Sequence, residues 1–276
     1  MMEFSAEKLP AFIVVFREFL EVAIVLGVVI AATRGLKNRN RFIWAGIGAG
    51  VLGSLLVAYF AEAISNAAEG MGQELFNAGV LLTASAVIGW TVIWMRTHAR
   101  QMTAHIKQVG SQITEGTLPA YTIIVIVGLA VLREGSEIVL FTYGMLASGQ
   151  ALFNVAAGSV LGAVAGSIFG LALYLGIVTI PVRYVFQVTT WLLILLSAGM
   201  ASLAAKYLVA GGAIDWLTNK LWDTSWLLSE SSIMGQILHA LVGYSDQPMA
   251  IQIVFFAATL AMLASIMRLM DAKKKA

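Results

Sequence analysis

Apolar residues run along this chain in seven blocks, near 10–33, 42–64, 75–95, 120–147, 152–176, 184–208 and 250–270, separated by polar connections. A helix rises about 1.5 Å per residue, so roughly 20 apolar residues match the ~30 Å hydrocarbon core of a bilayer. The pattern therefore predicts seven spanning helices. The connection from Arg34 to Arg41 holds Arg34, Lys37, Arg39 and Arg41 and no acid, and the segment from Arg96 to Gly116 holds Arg96, Arg100 and Lys107. The region between the second and third blocks carries Glu62, Glu69 and Glu74 without a base, and the chain ends in Arg268, Asp271, Lys273, Lys274 and Lys275. Positive charge collects on the cytoplasmic side of membrane proteins, which sets the N-terminus outside and the C-terminus inside. The first ten residues set Glu3 and Glu7 against Lys8 and lack a basic leader, so the first apolar block is expected to stay in the mature protein.

Two of the apolar blocks carry charge at their centre. Arg17-Glu18-Phe19-Leu20-Glu21 and Arg133-Glu134-Gly135-Ser136-Glu137 both read R-E-x-x-E. One such charge costs ~2.5–3.5 kcal/mol on insertion scales, so a repeated charged cluster calls for a function. The two copies lie in the first and fourth spans, three steps apart along the order of spans, and an odd number of steps makes the second copy enter the membrane from the opposite side. The expected architecture is thus an all-α integral membrane protein of seven transmembrane helices, an inverted 3+3 repeat plus one C-terminal helix. Gly46, Gly50, Ser54 and Ala58 in the second block and Gly158, Gly162, Gly166 and Gly170 in the fifth repeat a small-residue stripe at intervals of four. Such stripes let helices pack closely, and we assign them no ligand role. The chain divides into a first three-helix repeat with its cytoplasmic connector (1–118) and a second, inverted three-helix repeat (119–208). An external loop (209–249) follows, with an amphipathic segment around Trp216, Trp222 and Trp226, and then a seventh helix with a basic tail (250–276). A second amphipathic spacing, Met102, Ile106, Val109 and Ile113, predicts a surface-lying helix in the cytoplasmic connector.

Composition agrees with this class: 59% of residues are hydrophobic and 12% charged, where a soluble domain has about a quarter charged. The chain has no cysteine, which removes disulfides and thiolate ligands from consideration. The candidate chemistry is carboxylate. Residues three and four apart share a helix face, so Glu18 and Glu21 project together, as do Glu134 and Glu137, and Arg17 and Arg133 can each reach the Glu four positions on. Four carboxylates and two guanidiniums leave a formal charge of minus two, suited to a divalent cation stripped of part of its water. Oxygen ligands fit hard cations, among them iron, manganese, magnesium and calcium, and ligand type alone does not choose between them. A purely structural ion pair needs one acid per base, and each Arg here is outnumbered. The second Glu of each motif is read as the main ion contact, with Arg17 and Arg133 as support. Gly135 is a point where the helix could unwind or hinge. A proton-coupled carrier of another divalent cation or a small solute, using the same carboxylates, is the alternative. His98, His105 and His239 fall outside the spans and are expected to face solvent.

The doubled R-E-x-x-E in spans one and four resembles the oxidase-dependent iron transporter family, in particular its bacterial EfeU-type high-affinity iron permeases. The likeness extends to Gln73-Glu74-Leu75-Phe76, to Trp90 and Trp94-Met95-Arg96, and to Gly243-Tyr244 with Pro248. It implies iron uptake across the cytoplasmic or plasma membrane, with Arg17, Glu18, Glu21, Arg133, Glu134 and Glu137 as the essential residues. It also implies iron (Fe2+ or Fe3+) as transported substrate, no organic cofactor, and no nucleic-acid partner. The partners implied are the lipid bilayer, iron ions and a separate periplasmic or extracellular protein that oxidises or delivers iron. Family members often carry an acidic pair at the outer side of span three. Here Glu74 is present but Asn77 replaces the expected second Glu, so Glu74, Glu69 and Glu62 stand as a candidate external collection site.

Overall fold

The computed structural model describes residues 6–67, 72–176, 182–230 and 232–275. After a short 3-10 turn at Ala6–Lys8 come α1 (Leu9–Ala32), α2 (Arg39–Ala67), α3 (Gln73–Thr114), α4 (Thr122–Ala147), α5 (Leu152–Tyr174), α6 (Val182–Ala210), α7 (Ile233–Val242) and α8 (Ala250–Lys275). Among the described residues there is no strand, only an isolated bridge between Lys220 and Met249. Five of these helices, in α2, α3, α5, α6 and α8, are long and apolar enough to cross a membrane. The two motif helices have the length, 24 and 26 residues, but each concentrates three charges at its centre. Leu52, Leu55, Leu56 and Phe60 on α2 and Val160, Val164 and Ile168 on α5 are exposed. An apolar surface of this extent belongs in lipid, and the chain is a multi-pass membrane protein.

The small-residue stripes decide which helices touch. Gly158, Gly162, Gly166 and Gly170 of α5 meet Lys8, just ahead of α1, and Phe12, Phe16 and Ala23 within it, in ascending order, so these two helices run parallel. Gly46, Gly50 and Gly53 of α2 meet Ile124, Gly128 and Leu132 of α4 in the same way. A methyl group on Gly50 would lie 2.7 Å from the Gly128 carbonyl oxygen, and one on Gly166 2.6 Å from that of Phe16. Neither contact tolerates a side chain. Gly135 serves this packing too: it lies against Ser54, whose hydroxyl donates to the Gly50 and Leu132 carbonyls at 3.0 and 3.4 Å. The helix runs unbroken through it, and Gly135 makes room for α2.

α1 and α4 are antiparallel. Ala11 and Val14 near the start of α1 share a core with Phe141 and Met145 near the end of α4, and Val29 near the end of α1 packs with Ile123, Val127 and Val131 at the start of α4. α3 and α6 join at Ser85 and Ser197, each hydroxyl donating to the other's backbone carbonyl, at 2.8 and 2.9 Å. Ser197 follows Ser85 by 112 positions, the offset that also relates Gly46 to Gly158 and Gly50 to Gly162.

Two expectations need adjustment. α3 is one continuous element of 42 residues, on the order of 63 Å of helix and about twice a bilayer core. The expected surface helix is its second half. Ile106, Val109 and Ile113 bury against Ile43, Ile123 and Val127, because that apolar stripe finds the ends of α1, α2 and α4 to pack on; the Met102 side chain lies outside the described residues. In the 209–249 segment the helix is α7, while the stretch bearing Trp216, Trp222 and Trp226 is irregular with all three side chains exposed. Ser232 caps α7 by accepting from the Gly235 N–H, and Gly243 ends it in a left-handed turn (φ 68°) packed on Gly199.

Candidate metal centre

Helical spacing puts Arg17, Glu18 and Glu21 on one face of α1, and that face is sealed: the three residues are 2%, 0% and 4% exposed. The Arg17 guanidinium forks, with Nη1 3.1 Å from Glu18 Oε1 and Nη2 2.8 Å from Glu21 Oε1. The second contact is ionic without hydrogen-bond alignment. On α4 the arrangement differs. Arg133 Nε lies 3.1 Å from Glu137 Oε1 and 3.7 Å from Glu134 Oε1, and the guanidinium sits over the Trp94 ring of α3, 3.7 Å from its centroid.

Because α1 and α4 cross face to face, their acids meet. One carboxylate oxygen from each of Glu18, Glu21 and Glu134 lies within 4.8 Å of the other two. At that separation two carboxylates repel by about 3.5 kcal/mol at an effective dielectric constant near 20. Glu18, Glu21, Glu134 and Glu137 each keep a buried Oε2 without a hydrogen-bond partner, as does Arg17 Nε. Buried charge left unpartnered is expensive, and two guanidiniums do not balance four acids. A hard cation bound at roughly 2.0–2.6 Å from oxygen places opposite ligands some 4–5 Å apart, so the observed spacing fits one ion held among three carboxylates. Glu137 is not in this group: its Oε1 is drawn onto Arg133, and Glu134 of the second motif faces α1 in its place. Of the second Glu of each motif, Glu21 on α1 stands within this group and Glu137 on α4 beside it.

Residues 8–271 match the iron permease FTR1 family. The chain belongs to that family. Its members are permeases, so the chain is a membrane transporter of iron and not an enzyme. It is 25% identical over 242 residues to the ferrous iron permease EfeU of Yersinia pestis, covering 86% of this chain and 85% of that one. It is 27% identical over 243 residues to the protein of the same name from Escherichia coli O6:H1, covering 86% and 87%. No solved structure matches the chain.

Around the centre, the fold assigns unequal places to the remaining candidates of this FTR1-family chain. Glu62 and Glu74 are exposed and stand apart from the three carboxylates, and Glu69 lies outside the described residues. His105 is exposed, and the side chain of His98 lies outside the described set. His239, expected to face solvent, is half-buried, with Nδ1 3.1 Å from Glu230 Oε1 and 2.7 Å from the Tyr244 carbonyl oxygen. Sequence reasoning gave no role to Trp94, Ser85 or Ser197. The 112-residue offset was the available signal for the serines; for Trp94 no spacing pointed to Arg133.

Proposed function

We propose that this chain takes up iron across the cytoplasmic membrane into the cell, and that the ion crosses between α1 and α4 through the paired R-E-x-x-E motifs. The observation that carries the reading is the convergence of Glu18, Glu21 and Glu134, from two helices, on a volume the size of one cation. Glu18, Glu21, Glu134 and Glu137 are the transport ligands, and Arg17 and Arg133 hold them and offset part of their charge. Ferrous iron is the favoured cargo: the relatives named above are ferrous iron permeases, and carboxylates are hard ligands that accept it.

Seven spans are the preferred count, with α1 and α4 joining the five apolar helices, their charges tolerated because they face each other instead of lipid. The opposed directions of α1 and α4, the matched pairs α1 with α5 and α2 with α4, and the Ser85–Ser197 exchange support an inverted repeat of 1–118 against 119–208. In such a repeat, rocking of one half against the other around a central site gives alternating access. The N-terminus is outside and the C-terminus inside, with 209–249 external and 250–276 forming the last helix and basic tail. Iron oxidation or delivery falls to a separate external protein, and Glu62, Glu69 and Glu74 are candidates for collecting the ion. Flux of ferrous iron under reductant into proteoliposomes, compared with chelated ferric iron and manganese, tests the reading. Ferrous uptake that disappears in Glu21→Ala and Glu134→Ala supports it; wild-type rates in both variants would sink it.

A further inference from the structure

We infer that Trp94 is a positioning residue for the transport site, holding Arg133 off the Glu134 carboxylate so that Glu134 is left for the cation. This rests on the proposed role of the carboxylate cluster.

The two arginines are unequal. Arg17 is 2% exposed and engages its neighbouring Glu18 at 3.1 Å through a terminal nitrogen. Arg133 is 28% exposed, and its closest approach to the neighbouring Glu134 is 3.7 Å, made by Nε and not by a terminal nitrogen. A guanidinium is a flat fork, with all its donors in one plane. With its central carbon 3.7 Å over the Trp94 ring centroid, the guanidinium is held at the indole face by cation–π attraction. Nε is what remains directed at the acids, and it settles on Glu137 at 3.1 Å. Glu134 is then the acid of the second motif that joins Glu18 and Glu21.

Among the described residues, the first motif shows no ring over its arginine. The offset of 112 that relates Ser85 to Ser197 relates Trp94 to Lys206, an exposed residue that offers no ring to Arg17. One half of the proposed repeat thus clamps its arginine onto its acids, and the other draws its arginine aside. Without the indole, the Arg133 fork is free to close on Glu134 as Arg17 does on Glu18, and it would compete with the cation for that carboxylate.

The test measures ferrous uptake under reductant in proteoliposomes of the full chain, with apparent KM and maximal rate resolved for wild type, W94F, W94L, W94M and E134Q. We expect W94L and W94M to raise KM roughly two- to thirtyfold, the range a cation–π contact spans, with maximal rate within about twofold of wild type. W94F keeps a ring face and should restore most of the affinity. An unchanged KM in the non-aromatic variants, a W94F as impaired as W94L, or a loss confined to maximal rate would overturn the proposal. So would failure of both non-aromatic variants to fold while W94F folds, since that assigns Trp94 to packing. E134Q separates the two levels. Wild-type transport by E134Q removes the carboxylate reading itself, whereas loss in E134Q with normal KM in W94L and W94M removes only the role of Trp94.

Discussion

Arg17 and Arg133 head the same motif on two helices, yet Arg17 is closed to solvent and forks onto both of its acids, whereas Arg133 is partly open, reaches its acids through Nε and lies on Trp94. The difference does not come from the motif residues. It comes from what packs around them: both motif helices lie on a partner along a stripe of glycines and both touch α3, but Arg133 lies on the Trp94 ring of α3 while Arg17 is closed off from solvent. A duplicated motif repeats a chemistry, but its neighbours divide the labour. Here one copy supplies two acids and the other one acid to the cluster of three.

The two motifs should differ most at their arginines. Arg17→Ala leaves buried carboxylates uncompensated, which costs about 3–5 kcal/mol, whereas Arg133→Ala, at a partly exposed site, should cost about 1 kcal/mol. Thermal unfolding in detergent measures both, and equal losses would mean the two charged triads are energetically alike. The next effect separates the acids. Glu21→Gln and Glu134→Gln each remove a member of the three-carboxylate group and should lower ferrous uptake roughly 100-fold, while Glu137→Gln should lower it about tenfold, in line with the 10–100-fold effects of residues supporting metal ligands. Uptake falling furthest in Glu137→Gln would reverse the assignment.

Packing offers a sharper symmetric control. Gly50→Val and Gly162→Val intrude on the two glycine-lined helix pairs and, if the proposed repeat holds, should each destabilise by about 1–3 kcal/mol, to a similar extent. A large inequality in their melting temperatures would argue against equivalent roles for the two stripes. The smallest effect is expected at the α3–α6 junction, where Ser85→Ala or Ser197→Ala removes one side of a reciprocal pair and should cost roughly 0.6 kcal/mol, as interhelical hydrogen bonds in membranes do. Coupling between the two substitutions, read from a double-mutant cycle, would measure how far the exchange acts as one unit.

Much of the architecture was legible because a bilayer permits few solutions. Twenty-odd apolar residues predict a helix, and α2, α3, α5, α6 and α8 fall where the hydropathy blocks lie. The register of Arg17 with Glu21 and of Arg133 with Glu137 follows from helical spacing, and both contacts are present. The continuation of α3 past Arg96 was less legible, since Ile106, Val109 and Ile113 read equally well against lipid or protein.

By itself, then, the sequence determined the helical membrane class, the small-residue faces and the chemistry of six charged residues, because these depend on local spacing and on the cost of burying charge. Only the tertiary structure decided which acids meet and which arginine stands aside. Glu134 joins Glu18 and Glu21, and Trp94 finds Arg133, through contacts between helices distant in sequence, and no local period encodes those distances.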